Sequence, residues 1–140
     1  MNEKAKMLII DDEPSMHVML EALLEKEPFE LHFAKNGVEG VAMATSIQPD
    51  AILLDVMMPD VSGLEVLRYI RREPSLMHIP VVIVSARTLP SDIRAGMEAG
   101  ATVYLTKPVR FQELRETVAE VIRAAESLNA EQTMEDASDK

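Results

Sequence analysis

Three apolar runs in this chain do not alternate, and they constrain its fold more than anything else in it. Met7 to Ile10, Ala51 to Leu54 and Val81 to Val84 are continuous blocks bounded by charged or turn-forming residues. A β-strand reads this way when both of its faces are covered. Two further extended segments, Glu30 to Ala34 and Thr102 to Thr106, alternate apolar with polar residues and read as edge strands. Between the five segments the period changes. Met16, Met19, Leu20, Leu23 and Leu24 recur at helical spacing, as do Phe111, Leu114, Val118, Val121, Ile122 and Ala125. The order is strand then helix, five times over, which implies a parallel sheet with right-handed crossovers and helices on both faces. With the continuous runs central and the alternating ones outermost, the expected fold is α/β: a doubly wound five-stranded parallel sheet, order 2-1-3-4-5, with five helices on its two faces.

Helix punctuation agrees with this layout. Pro14 suits a first helical turn, Ser62 and Glu65 have capping-box spacing, Pro74 stops the third helix, and Gly100 caps the fourth. The stretch Leu89 to Ala99 is a poor helix, with Gly96 inside it and only Leu89, Ile93 and Met97 as anchors. It is expected to be mobile.

Composition removes several function classes. The 140 residues include no cysteine, so there is no disulfide framework, thiolate metal site or thiol nucleophile. Acids outnumber bases 24 to 14, a net charge of -10, which repels a nucleic-acid backbone. No run is long enough for a membrane span, and Met1 to Lys6 has no signal-peptide layout, so a cytoplasmic protein is expected. His17, His32 and His78 share no metal-ligand spacing. Strand 1 is followed by acids instead of a glycine-rich phosphate loop, which argues against a dinucleotide or P-loop enzyme.

Doubly wound sheets bind ligands beyond the carboxyl ends of their strands, where the winding reverses. Here that point lies between strands 1 and 3. Strand 1 runs into Asp11, Asp12 and Glu13, strand 3 into Asp55, strand 4 into Ser85 and strand 5 into Lys107. Taken singly, these are ordinary caps, strand ends and turns. Jointly, acids from two strands with one hydroxyl and one ammonium on the same rim describe a site. Asp11, Asp12 and Asp55 against Lys107 leave about two negative charges, which a hard divalent cation neutralises, and Mg²⁺ favours a few carboxylates plus waters and phosphate oxygens.

The runs Leu8-Ile9-Ile10-Asp11-Asp12-Glu13-Pro14, Leu53-Leu54-Asp55-Val56-Met57-Met58-Pro59-Asp60-Val61-Ser62-Gly63, Val84-Ser85-Ala86, Ala99-Gly100-Ala101 and Tyr104-Leu105-Thr106-Lys107-Pro108 resemble the receiver domain of bacterial two-component response regulators. The resemblance spans roughly Lys6 to Glu126 and implies a flavodoxin-like fold of the chemotaxis-regulator type. It implies that Asp55 is the phosphoacceptor, that Asp12 ligates Mg²⁺ directly with Asp11 assisting through water, and that the Met57 backbone carbonyl completes the protein ligands. It further implies that Lys107 and Ser85 hold phosphoryl oxygens, that Ser85 and Tyr104 form a switch, and that the peptide before Pro108 is cis. Gly40 stands where the family commonly has alanine, which is expected to cost helix stability and little else. Met57 and Arg87 occupy positions that line the approach of attacking water in the family. An apolar Met57 cannot orient that water, so slow self-dephosphorylation is expected.

The function so implied is a signalling phosphoacceptor that catalyses only its own phosphorylation and dephosphorylation. Its donor is a sensor histidine kinase or a histidine phosphotransfer protein. The output runs through the face of helix 4, strand 5 and helix 5 to a downstream protein, to an output domain not present here, or to a second copy. Residues 1–126 are expected to form this domain. Residues 127–140 form an acidic tail, or a linker in which helix 5 continues through Leu128 and Met134; they carry four acids against one lysine. One alternative is a receiver excised from a larger DNA-binding or enzymatic regulator or hybrid kinase. Another is a haloacid-dehalogenase-like phosphatase, but that resemblance demands a second aspartate where Met57 stands. A flavin carrier needs a hydroxyl-rich loop where Asp11 to Glu13 stand.

Overall fold

The structure is a computed structural model that describes residues 4–138, with Leu23 and residues 129–138 described by their backbone alone. Along the chain run β1 (Ala5–Ile10), α1 (Pro14–Leu24), β2 (Phe29–Ala34), α2 (Gly37–Ile47), β3 (Ala51–Leu54), α3 (Gly63–Arg72), β4 (Val81–Ser85), α4 (Pro90–Ala99), β5 (Val103–Thr106) and α5 (Phe111–Ser138). The strands pair in parallel in the order β2-β1-β3-β4-β5, as the sequence leads one to expect.

The non-alternating runs have a direct cause. Leu8, Ile10, Ile52, Leu54 and Ile83 face a layer that includes Ala44 of α2 and Val66, Leu67 and Ile70 of α3. Their neighbours Met7, Ile9, Ala51, Leu53, Val82 and Val84 face the opposite layer, with Leu20 and Leu24 of α1 and Leu114, Val118, Val121 and Ile122 of α5. Each inner strand therefore needs an apolar side chain at every position. Burying each of these large aliphatic chains contributes roughly 1.5–3 kcal/mol.

Pro14 opens α1. Asn36 caps α2 by accepting the Glu39 N–H at 2.8 Å. The Ser62 hydroxyl caps α3 by accepting the Leu64 N–H at 3.2 Å. The Glu65 N–H donates to the Ser62 carbonyl and not to its hydroxyl, so the capping box that the spacing suggests is not formed. Gly100 ends α4 at φ 115°, a left-handed conformation that favours glycine. Arg71, in the last turn of α3, donates to the carbonyls of Gly100 (2.8 Å), Ile79 (2.6 Å) and Met77 (3.1 Å), tying the end of α4 to the α3–β4 connection. Burial pulls the pKa of this guanidinium down.

Four expectations need correction or limits. Met19 is 45 % exposed and not part of the inward face of α1, and Leu23 falls outside the described side chains. α4 is a regular helix, but Leu89 lies ahead of it and is exposed, as is Met97; the buried residue is Gly96, packed against the Tyr104 ring and Ile83. The helical backbone of α5 continues to Ser138, past residue 126, while Met134 and the acids Glu131, Glu135, Asp136 and Asp139 lie outside the described side chains. Gly40 does more than weaken a helix. A Cβ there would stand 2.6 Å from Ile10 Cδ1, so the missing side chain makes room for the last residue of β1.

That contact predicts a sign reversal. Helix propensity alone would make Gly40→Ala stabilising by about 1 kcal/mol, whereas overpacking against Ile10 costs about 1–3 kcal/mol. Chemical denaturation should show Gly40→Ala destabilised, and Ile10→Val in the same chain should recover part of the loss. A stabilised Gly40→Ala would refute this packing.

Candidate functional site

Three residues at the carboxyl edge of the sheet are each fixed by a backbone bond that prolongs a strand ladder. The Asp11 N–H donates to Ala34 O (3.1 Å), the Asp55 N–H to Ile10 O (3.0 Å) and the Lys107 N–H to Ser85 O (2.8 Å). The helix layers then close over them. Asp11, Asp55 and Ser85 are 4 %, 5 % and 0 % exposed, and Asp12 is half-buried. Gly63 permits the close approach of α3, since a Cβ there would collide with the Asp55 carbonyl oxygen.

Asp11, Asp12 and Asp55 bring carboxylate oxygens within 4.8 Å of one another. Lys107 Nζ stands 3.5 Å from Asp11 Oδ2 and 3.9 Å from both Asp55 Oδ2 and Glu13 Oε1. Two backbone amides help to hold the acids: the Glu13 N–H donates to Asp11 Oδ1 (2.9 Å) and the Met57 N–H to Asp55 Oδ1 (3.2 Å). Burial pushes the Asp55 pKa up. The Met57 N–H and Lys107 oppose the shift, and the neighbouring charges of Asp11 and Asp12 reinforce it. The donor set is all oxygen with an excess of negative charge, which fits a hard divalent cation and not a soft one.

Ser85 and Tyr104 meet through a third residue. Ser85 Oγ accepts the Arg87 N–H (3.1 Å), and the Tyr104 hydroxyl donates to the Arg87 carbonyl (2.8 Å). Both bonds hold the backbone of the loop after β4. The Arg87 guanidinium reaches Asp92 at 3.7 Å. Asp12, Met57, Arg87 and Tyr104 line one open cleft of about 760 Å³. The Met57 side chain is exposed there. The Lys107–Pro108 peptide is cis.

Sequence reasoning missed two supports of the site. His17 donates Nε2–H to the Asp11 carbonyl (2.7 Å) and lies against Phe33, bracing the acidic turn from α1. One helical turn separates it from that acidic turn, so the spacing was available as a signal. Asp60 accepts the N–H groups of Gly37 and Val38, both at 3.2 Å, and so moors the loop after Asp55 to the start of α2. Desolvation raises the Asp60 pKa, but the backbone amides that donate to this carboxylate, those of Gly37 and Val38 among them, together outweigh it and leave the pKa lowered. No local pattern announces them.

The fold is thus an α/β doubly wound parallel sheet that gathers three acids and one ammonium at its switch point. Residues 7–119 match the response regulator receiver domain, and the chain belongs to that family. It is 37% identical to the protein PilH of Pseudomonas aeruginosa over 118 residues, covering 84% of this chain and 98% of PilH. It is 42% identical to the response regulator PleD of Caulobacter vibrioides over 105 residues, covering 75% of this chain and 23% of PleD. Thus the chain spans nearly all of one relative and a quarter of another. The crystallised chemotaxis protein CheY4 of Vibrio cholerae superposes with a TM-score of 0.79 at 30% identity, covering 84% of this chain and 98% of that one. The Asp11, Asp12 and Asp55 pocket fits the family's phosphoacceptor site.

The raised Asp55 pKa means that its ionised form opposes folding. In the presence of a chelator, Asp55→Asn should therefore unfold at higher denaturant than wild type at neutral pH. The gap should close as pH falls through the folded-state pKa toward the unfolded carboxylate value of about 3.9. An Asp55→Asn variant less stable than wild type at neutral pH would contradict the electrostatic account.

Proposed function

We propose that this chain is the phosphoacceptor switch of a two-component phosphorelay, with Asp55 receiving a phosphoryl group from the phosphohistidine of a sensor kinase or histidine phosphotransfer protein. The observation that carries it is the meeting of Asp11, Asp12 and Asp55 with Lys107 at the switch point of the sheet. One Asp55 carboxylate oxygen forms the new O–P bond as the donor's P–N bond breaks. The leaving imidazole keeps that electron pair and takes up a proton. Attack by an anion on an anion is slow unless the repulsion is removed, and positioned cations are what remove it.

Lys107 is placed to pair with a phosphoryl oxygen on Asp55. Ser85 already accepts a bond from Arg87, so its own hydroxyl proton is free to be donated to another phosphoryl oxygen. Mg²⁺ fits the donor set, with Asp12 as direct ligand, Asp11 through water, and Asp55 and the Met57 carbonyl completing the protein ligands; when bound it supplies positive charge to the phosphoryl oxygens. The chain acts only on itself and is not otherwise an enzyme.

A phosphoryl group that engages Ser85 pulls on the Arg87 backbone, which Tyr104 also holds, and so biases the face of α4, β5 and α5. That face is the output surface toward a downstream protein, an output domain or a second copy. A second reading, the receiver of a longer regulator, is favoured by PleD, of which this chain spans 23%. On that reading residues 1–126 are the receiver and 127–140 continue α5 as a linker. A cytoplasmic location agrees with the absence, among the described residues, of a helix long and apolar enough to cross a membrane.

Incubation with acetyl phosphate and Mg²⁺ should add the mass of one phosphoryl group to wild type and none to Asp55→Asn. Equal labelling of both, or no labelling of wild type beside a receiver control that labels, would refute the proposal. In the labelled protein Met57→Asn, which adds a polar group at the cleft, should shorten the phosphoryl half-life. An unchanged half-life would remove Met57 from control of the water.

A further inference from the structure

The methionines whose side chains are described fall into two groups. Met7 is fully buried, and Met16, Met43 and Met58 are partly buried against the cores. Met19, Met57, Met77 and Met97 expose about half of their surface. Of these four, Met57 is the one joined to the acidic pocket. Its N–H donates to Asp55 Oδ1 at 3.2 Å, and its side chain, 51 % exposed, lines the cleft with Asp12, Arg87 and Tyr104. A thioether there is open to small solutes, and it shares the cleft with Asp12, whose carboxylate meets that of Asp55 in the acidic pocket.

We infer that Met57 is an oxidative modification site, and that conversion of its thioether to the sulfoxide by a peroxide shortens the life of the phosphoryl group on Asp55. The inference rests on the phosphoacceptor reading of Asp55. The chemistry is a two-electron transfer. A sulfur lone pair attacks one peroxide oxygen, the O–O bond breaks, sulfur keeps that oxygen, and the other leaves as water or an alcohol after taking up a proton.

The product reverses the local polarity. A thioether is a weak acceptor, whereas a sulfoxide oxygen is a strong one on a side chain of nearly the same size. Water that attacks phosphorus must present a lone pair to it, and a hydrogen-bond acceptor beside the path orients water for this. Unoxidised Met57 supplies no such acceptor. Its sulfoxide supplies one at the position where Met57→Asn would supply an amide, so peroxide performs chemically what that substitution performs genetically. Met77 and Met97 lie in the α3–β4 connection and on α4, and Met19 lies on α1, so oxidation there leaves the polarity beside Asp55 unchanged.

The test compares each protein with its own untreated sample. Wild type and Met57→Leu are exposed to mild hydrogen peroxide, freed of oxidant, phosphorylated with acetyl phosphate and Mg²⁺, and followed by phosphate release, with fragment mass spectrometry locating the sulfoxides. Treatment should speed release from wild type by about threefold or more and leave Met57→Leu at its untreated rate. Methionine sulfoxide reductase should return treated wild type to its starting rate. If untreated wild type takes up a phosphoryl group but treatment speeds neither protein, or both alike, the inference falls and the phosphoacceptor reading stands. If untreated wild type takes up none, that reading falls and the inference with it.

Discussion

Three carboxylates share one pocket with a single ammonium, and that imbalance governs the rest of the molecule. Like charges with oxygens within 4.8 Å repel strongly once most of the water is excluded, and Lys107 offsets only part of this at 3.5–3.9 Å. A flexible scaffold would let the acids drift apart into solvent. Here the ladder bonds at Asp11, Asp55 and Lys107, the fully covered strands behind them and the close approach of α3 at Gly63 hold them together. The result is a site that gains stability from added positive charge, which is the property a cation-dependent phosphoacceptor needs.

The same scaffold sets what is able to move. α4 contributes one buried residue, Gly96, and is fastened at its carboxyl end by Arg71 through the Gly100 carbonyl. Its first turn has no side-chain cap. The loop leading into it hangs from Ser85 and Tyr104 by two bonds to the Arg87 backbone. The helix is therefore held firmly at the far end and lightly at the near one. The loop after Asp55 is restrained differently, by the Asp60 carboxylate on the first two amides of α2.

How much of this was legible in the sequence follows from the range of each interaction. The three inner strands announce themselves because burial on both faces demands an apolar residue at every position, and Asp11, Asp12 and Asp55 follow those strands directly. Lys107 is likewise the first residue beyond β5. What was illegible depends on contacts made only after folding. Asp60 meets Gly37 and Val38 across 22 or 23 residues of chain, and Arg71 reaches Gly100 across 29. The need for glycine at 40 comes from Ile10 on another element. Met19 has helical spacing yet faces solvent, because periodicity marks a stripe without fixing its width.

The most direct test of the central claim asks which atom carries the phosphoryl group. An acyl phosphate is reduced by borohydride to an alcohol, so an aspartyl phosphate trapped this way becomes homoserine and its position can be read by fragment mass spectrometry. Protein phosphorylated with acetyl phosphate and Mg²⁺, then reduced, should carry homoserine at position 55 and nowhere else. Conversion at position 11 or 12, or none in protein that carries phosphate, would contradict the account.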